Sequence, residues 1–168
     1  MSIGFIGLGN IGRPMACQLT KLGEELWVYD VAPAAVAELV TRGARAGTRA
    51  RDVAERCRII GVCVRDETEV GGVLCGDNGL LAHARPDTVI AVHSTVTQAA
   101  ILEWAAQARA HGIHLLDAPI TGGAAGAEAA TLTYMVGGTD ELVERCRPLF
   151  LTSGQKVIHA GPVGSGIL

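Results

Sequence analysis

The chain has 168 residues, of which 49% are apolar and 4% aromatic, with 22 glycines and a formal charge of −3. That length suits one compact domain with a core of Ala, Val, Leu and Ile, and the mildly acidic balance, with arginines scattered along the chain, argues against nucleic acid as a partner. No apolar run approaches the ~20 residues of a membrane span, the start lacks the features of a secretory signal, and five cysteines without a C-x-x-C pair read as reduced core fillers of a cytoplasmic, disulfide-free, metal-free protein.

In chain order, short β-branched runs alternate with longer Ala-, Leu-, Glu- and Arg-rich stretches of helical spacing. The pattern predicts a strand over 3–6, a helix over 10–22 closed by a left-handed Gly23, a strand over 26–29 and a helix over 33–41. Short helical turns around 50–56 and 67–74 flank a strand over 59–64. A strand over 89–92 leads to a helix over 97–111 and a strand over 113–116. The Gly/Ala-rich stretch 122–130 carries no Ser/Pro tract and is expected to be ordered and tightly packed. A strand over 132–136, a helix over 140–149 and a strand over 156–159 complete the chain. Repeated βα units of this kind specify an α/β fold of the Rossmann type, doubly wound, with a mostly parallel sheet and helices on both faces.

Directly after the first strand comes Gly7-Leu8-Gly9-Asn10-Ile11-Gly12, the G-x-G-x-x-G spacing, opening a helix. Gly7 permits the tight turn, Gly9 lets a pyrophosphate approach bare backbone, and Gly12 lets the helix pack closely on the sheet. The helix start adds unpaired N–H groups and a partial positive charge. The motif alone is weak, and a flavin or S-adenosylmethionine site is compatible with it. The second strand ends at Tyr29-Asp30, where a carboxylate can accept hydrogen bonds from the adenosine ribose. Val31 follows it, with no arginine there to neutralise a 2′-phosphate, so NAD is favoured over NADP. The blander alternative is that Asp30 caps the helix near Pro33 and that the glycines serve packing.

The run Phe5-Ile-Gly-Leu-Gly-Asn-Ile-Gly-Arg-Pro-Met-Ala-Cys-Gln-Leu19, with His93-Ser-Thr-Val96, Asp117-Ala-Pro-Ile-Thr-Gly-Gly-Ala-Ala-Gly126 and Thr131-Leu-Thr-Tyr-Met-Val-Gly-Gly138, resembles the β-hydroxyacid dehydrogenase family along essentially the whole chain. That family includes 3-hydroxyisobutyrate dehydrogenase and, more distantly, 6-phosphogluconate dehydrogenase. The chain departs from the family pattern at Ile11, where Met is usual, and at Gln18, where Asn is usual. The resemblance implies NAD as cofactor, a small 3-hydroxy acid as substrate, and a homodimer or tetramer for the full-length parent. It places Thr95 by the nicotinamide, and Val64 and Arg65 on the adenosine side. Thr121-Gly122-Gly123 stands where the family has its Ser-Gly-Gly substrate anchor, and successive glycines can expose N–H groups in a nest suited to a carboxylate. Each position has a plainer reading: Thr95 or Thr97 as a helix N-cap, with Thr97 the better one, and Gly122-Gly123 as a tight turn. His93 is read as a strand-end histidine satisfied by a backbone partner.

In the resembled family the proton acceptor is a Lys on the helix opened by a Gly-x-x-Gly-x-Gly segment. Here that segment is Gly161-Pro-Val-Gly164-Ser-Gly166, and the family spacing puts the Lys two places past Leu168. The two lysines present, Lys21 and Lys156, read as solvated surface charges. No catalytic residue is therefore expected within the chain, residues 161–168 read as the start of a link to an absent helical domain, and the abrupt end as that of a piece of a longer protein. The apolar face at 163–168 is expected to favour self-association. Two other readings stay open: a stand-alone, non-catalytic dinucleotide-binding module, and the cofactor domain of an imine reductase, against which Asp30-Val31 argues.

Overall fold

The computed structural model describes residues 1–167; Leu168, the last residue of the predicted apolar tail, lies outside them. The strands are β1 (Ser2–Ile6), β2 (Glu25–Tyr29), β3 (Arg45–Ala46), β4 (Ile59–Val62), β5 (Val89–Val92), β6 (His114–Asp117), β7 (Ile120–Thr121), β8 (Leu132–Gly137) and β9 (Gly154–Gly161). The helices are α1 (Gly12–Leu19), α2 (Pro33–Thr41), α3 (Ala50–Arg56), α4 (Glu67–Cys75), α5 (Leu80–His83), α6 (Gln98–Ala110), α7 (Gly123–Ala129) and α8 (Asp140–Ser153). A 3-10 turn over Thr20–Leu22 extends α1, and Gly23 ends it at φ 68°.

The sheet runs β3-β2-β1-β4-β5-β6-β8-β7, with β9 also paired to β8. The strands from β3 to β6 are mutually parallel, whereas β8 runs antiparallel to β6 and β7 and parallel to β9. After β1 the chain moves outward on one side through β2 and β3, then returns to β4 on the other side. The gap between the carboxyl ends of β1 and β4 is thus the point where the winding reverses, the place where open α/β sheets bind ligands.

Side-chain alternation with period two divides the core into two layers. Ile3, Phe5, Ile59, Val89, Ala91 and Leu116 face one layer with residues of α1, α2 and α8. Ile6, Ile60, Val62, Ile90, Val92 and Leu115 face the other with residues of α3 to α6. Because both faces are covered, the central strands are apolar almost throughout, and this is why they read as strands in the sequence.

Several expectations need correction. The stretches around 50–56 and 67–74 are regular helices, and α4 is opened by Asp66, whose carboxylate accepts from the Glu69 N–H. The third long strand stops at Val62, two residues early, because residues 63–65 turn into the loop described below. The stretch 122–130 is ordered as expected, but as helix α7. The two-residue strands β3 and β7 and the one-turn helix α5 carry no periodic signal. Helix α8 continues through Pro148 to Ser153: the proline forfeits one backbone hydrogen bond, and burial of Leu149, Phe150, Thr152 and Ser153 holds the last turn in place. Cys75 departs from the core-filler expectation by being exposed.

Asp117, at the end of β6, is fully buried. Its Oδ1 accepts from the Gly164 N–H at 2.6 Å, and its Oδ2 accepts from Gly166 and Ile167 at 2.7 and 3.2 Å. One carboxylate therefore folds the tail back onto the sheet. Neighbouring glycines make room for it, since a Cβ at Gly137 would lie 2.4 Å from Oδ1 and one at Gly166 would lie 2.9 Å from Oδ2. Asp117→Ala strands these N–H groups and is expected to cost roughly 3 kcal/mol or more, read as a lowered urea midpoint with fast amide exchange at Gly164 and Gly166.

Candidate functional site

The glycine loop after β1 is built by exclusion of side chains. Gly7 has φ +98°, and a Cβ there would lie 2.1 Å from the Cys63 carbonyl; at Gly12 it would lie 2.0 Å from the Gly7 carbonyl. Loop, helix α1 and the end of β4 meet at backbone contact. Gly9 is the opposite case: nothing lies within 4 Å of a Cβ built there, and the residue is exposed. It opens onto a groove of about 440 Å³ lined by Gly9, Asn10, Ile11, Gly12, Val64 and Arg65, among others. Among the described residues, the N–H groups of Asn10, Ile11 and Gly12 have no protein acceptor, the first being taken up again at Arg13 by the Gly9 carbonyl. The groove floor thus presents free donors at the positive end of α1.

Asp30 sets the loop's position. Its Oδ2 accepts from the Leu8 N–H at 2.7 Å and its Oδ1 from the Ala32 N–H at 2.8 Å, so the ends of β1 and β2 are tied through one carboxylate. Leu8 is buried and its N–H is already bonded to Asp30, so this residue supports the groove from beneath. A carboxylate offers about four acceptor positions, which leaves Asp30 capacity for a further donor. It lines a second cleft of about 370 Å³ with Gly7, Val31, Arg49, Val64 and Val73. Val31 is 86% exposed in that cleft. The two clefts share Val64 and Glu69, so together they form one groove across the winding reversal.

The far wall is held by Ser94, a residue the sequence reading passed over. Its hydroxyl accepts from the Val64 N–H at 3.0 Å and donates to the Val64 carbonyl at 2.8 Å. Arg65 is anchored along Glu69, with Nη2 at 2.7 Å from Oε1. Thr97 caps α6 by accepting from the Ala100 N–H, which leaves Thr95 exposed and without a protein hydrogen bond among the described residues. Thr95, Thr121, Gly122 and Gly123 lie on the same carboxyl edge of the sheet and outside the lining of the two clefts. Both glycines have positive φ, 126° and 62°.

His93 belongs to the core. Its Nδ1 lies 2.8 Å from the Ala118 carbonyl, and its ring stacks on Phe5 and meets Tyr134 and Phe150 edge-on. Gly61 makes room for this cluster, because a Cβ there would lie 2.8 Å from the Phe5 ring.

Residues 2–161 match the family described as the NAD binding domain of 6-phosphogluconate dehydrogenase. The chain belongs to this family. Over 164 residues it is 44% identical to the NAD-dependent L-serine dehydrogenase of Pseudomonas aeruginosa, a match that covers 98% of this chain and 55% of that protein. Its fold superposes on the structure of Mycobacterium tuberculosis 3-hydroxyisobutyrate dehydrogenase with L-serine at a TM-score of 0.92 and 34% identity, covering 99% of this chain and 56% of that one. An NAD+ complex of a Myxococcus stipitatus imine reductase variant, 24% identical, shares the fold at a TM-score of 0.90 over 99% of this chain and 57% of that one. The chain spans about half the length of the curated relatives it matches. An NAD-binding domain accounts for a groove with free N–H donors at one place and a strand-end carboxylate at the next. Among the described residues no helix is long and apolar enough to cross a membrane.

Burial among aromatic rings pushes the His93 pKa down to about 4, outweighing the hydrogen bond to Ala118. The folded pKa is thus below the ordinary value near 6.5, so the unfolded chain takes up a proton first on acidification. The stability tied to neutral His93 is fully present above about pH 6.5 and is lost as the pH falls toward 4, by roughly 3 kcal/mol at full extent. Urea unfolding at about pH 7 and about pH 4.5 should show a smaller pH-dependent loss in His93→Phe than in the unaltered chain.

Proposed function

We propose that residues 1–168 are the cofactor half of an NAD-dependent 3-hydroxyacid dehydrogenase, with 161–168 beginning the link to a helical domain. The observation that carries this reading is the pairing of free N–H donors at Asn10, Ile11 and Gly12 with Asp30 across one groove. In it, the backbone at Gly9 and the start of α1 hold the pyrophosphate, and Gly7 with the buried Leu8 fixes the turn. Asp30 accepts from the adenosine ribose, and Val31, Val64 and Val73 give the adenine apolar walls, with Arg65 at the rim. Thr95 stands at the nicotinamide end, and Thr121, Gly122 and Gly123 orient the substrate carboxylate.

When bound, the nicotinamide supplies the hydride acceptor for alcohol oxidation. The substrate class rests on the resemblance and on relatives named for 3-hydroxyisobutyrate and L-serine, both small acids with a hydroxyl on the third carbon. Removal of the hydroxyl proton needs a base within hydrogen-bond reach. We place that base beyond Leu168, since Lys21 donates to the Thr152 carbonyl and Lys156 lies in β9, away from the groove.

Calorimetry of the 168-residue chain should give saturable NADH binding. Gly9→Val, whose Cβ has nothing of the protein within 4 Å, should leave the melting temperature nearly unchanged yet weaken NADH by at least about tenfold; unaltered affinity would remove the phosphate from this loop. With NAD and either 3-hydroxyisobutyrate or L-serine, the chain alone should turn over about 10²–10⁴-fold more slowly than a full-length relative. Comparable rates would place the base inside the chain.

A further inference from the structure

The cleft that contains Asp30 and Val31 also takes in Arg49, the residue just before α3 and the only basic residue among the described residues lining it. Nothing in the sequence near Asp30 announces this arginine. It arrives because β3 pairs with β2 and the Gly47 N–H donates to the Val28 carbonyl at 2.8 Å, laying residues 47–50 beside the end of β2. A guanidinium near the adenosine ribose is the group that accommodates a 2′-phosphate, so its presence works against the preference that Asp30 sets.

The guanidinium is held by a neighbouring carboxylate. Arg49 Nη2 donates to Asp52 Oδ1 at 3.1 Å. Asp52 is itself fixed: its Oδ2 accepts from the Thr48 N–H and hydroxyl, both at 2.8 Å, and from the Arg49 N–H at 3.0 Å. Burial opposes its ionisation, but the hydrogen bonds from Thr48 and Arg49 prevail and its pKa is lowered to about 2, so it is a carboxylate at any working pH. An exposed ion pair of two mobile side chains is easily exchanged. Here one partner is fixed by three hydrogen bonds of its own, so a phosphate that drew Arg49 away would have to break its contact with a carboxylate that does not follow.

We propose that Asp52 is a cofactor-specificity determinant: by holding Arg49, it withholds from the adenosine ribose the cation that would pair with a 2′-phosphate, and so selects NAD over NADP together with Asp30. The inference rests on the cofactor reading above. Dissociation constants for NADH and NADPH, measured by calorimetry on the 168-residue chain, test it in four proteins: the unaltered chain, Asp52→Asn, Arg49→Gln and the double variant. Asp52→Asn should strengthen NADPH binding by about tenfold, the gain of one charge-assisted contact, and leave NADH within about twofold. Arg49→Gln alone should leave the NADPH-to-NADH ratio unmoved, and in the double variant the gain should vanish.

An NADPH-to-NADH ratio unmoved by Asp52→Asn overturns the proposal, as does a gain that survives without Arg49. Since Asp52 also closes the start of α3, melting curves accompany each variant. If the amide variant does not fold, Asp52→Ser removes the charge while keeping a hydrogen-bonding side chain, with the same outcomes expected. Failure of the unaltered chain to bind NADH overturns the cofactor reading itself, and this inference with it.

Discussion

The carboxylate of Asp30 is the interaction on which the site depends. Two parallel strands end side by side, and just past each end one loop N–H, at Leu8 and at Ala32, bonds to a side chain instead of to a strand. Asp30 takes both, with charge-assisted bonds about twice as strong as neutral ones. The turn after β1 is thereby fixed before any ligand arrives, and the next donors along it, at Asn10, Ile11 and Gly12, are left facing the groove. The same side chain that shapes the glycine loop also lines the adjoining cleft.

The pattern recurs along the carboxyl edge of the sheet. Ser94, after β5, grips both backbone groups of Val64 beyond β4, and Asp117, at the end of β6, grips the tail at Gly164, Gly166 and Ile167. In each case a short polar side chain at a strand end catches the backbone of a neighbouring segment. A binding edge assembled from stitches of this kind holds its groups in place by hydrogen bonds to rigid strands, the arrangement that preorganised sites require. The glycines at 7, 12, 137 and 166 are the complementary half, since each leaves space that a Cβ would fill against a carbonyl or a carboxylate.

The central βα units were legible in the sequence because both sheet faces are covered, which makes runs such as Ile59–Val62 and Val89–Val92 apolar throughout. The glycine loop and its tie to Asp30 were legible for a different reason: the two lie within 25 residues of each other and follow a fixed spacing. What the sequence hid depends on distant pairing. Asp117 reads as an ordinary residue before Ala118-Pro119, and its partners come 47 to 50 positions later. Ser94 acts across 30 positions, and Arg49 reaches the cleft beside Asp30 only through the two-residue strand β3, too short to leave a pattern. Helix α7 was obscured by its own composition, because four alanines and two glycines in seven residues carry no polar face from which to read a helical period.

The most direct test of this account is an NMR titration of the ¹⁵N-labelled 168-residue chain with NADH. The largest amide shifts are predicted at Gly9, Asn10, Ile11 and Gly12, at Val31 and Ala32, and at Val64 and Arg65, with little change around Ala105, Leu142 and Val163 in the separate groove between α6 and α8. Shifts concentrated in that second groove, with the phosphate loop silent, would contradict it.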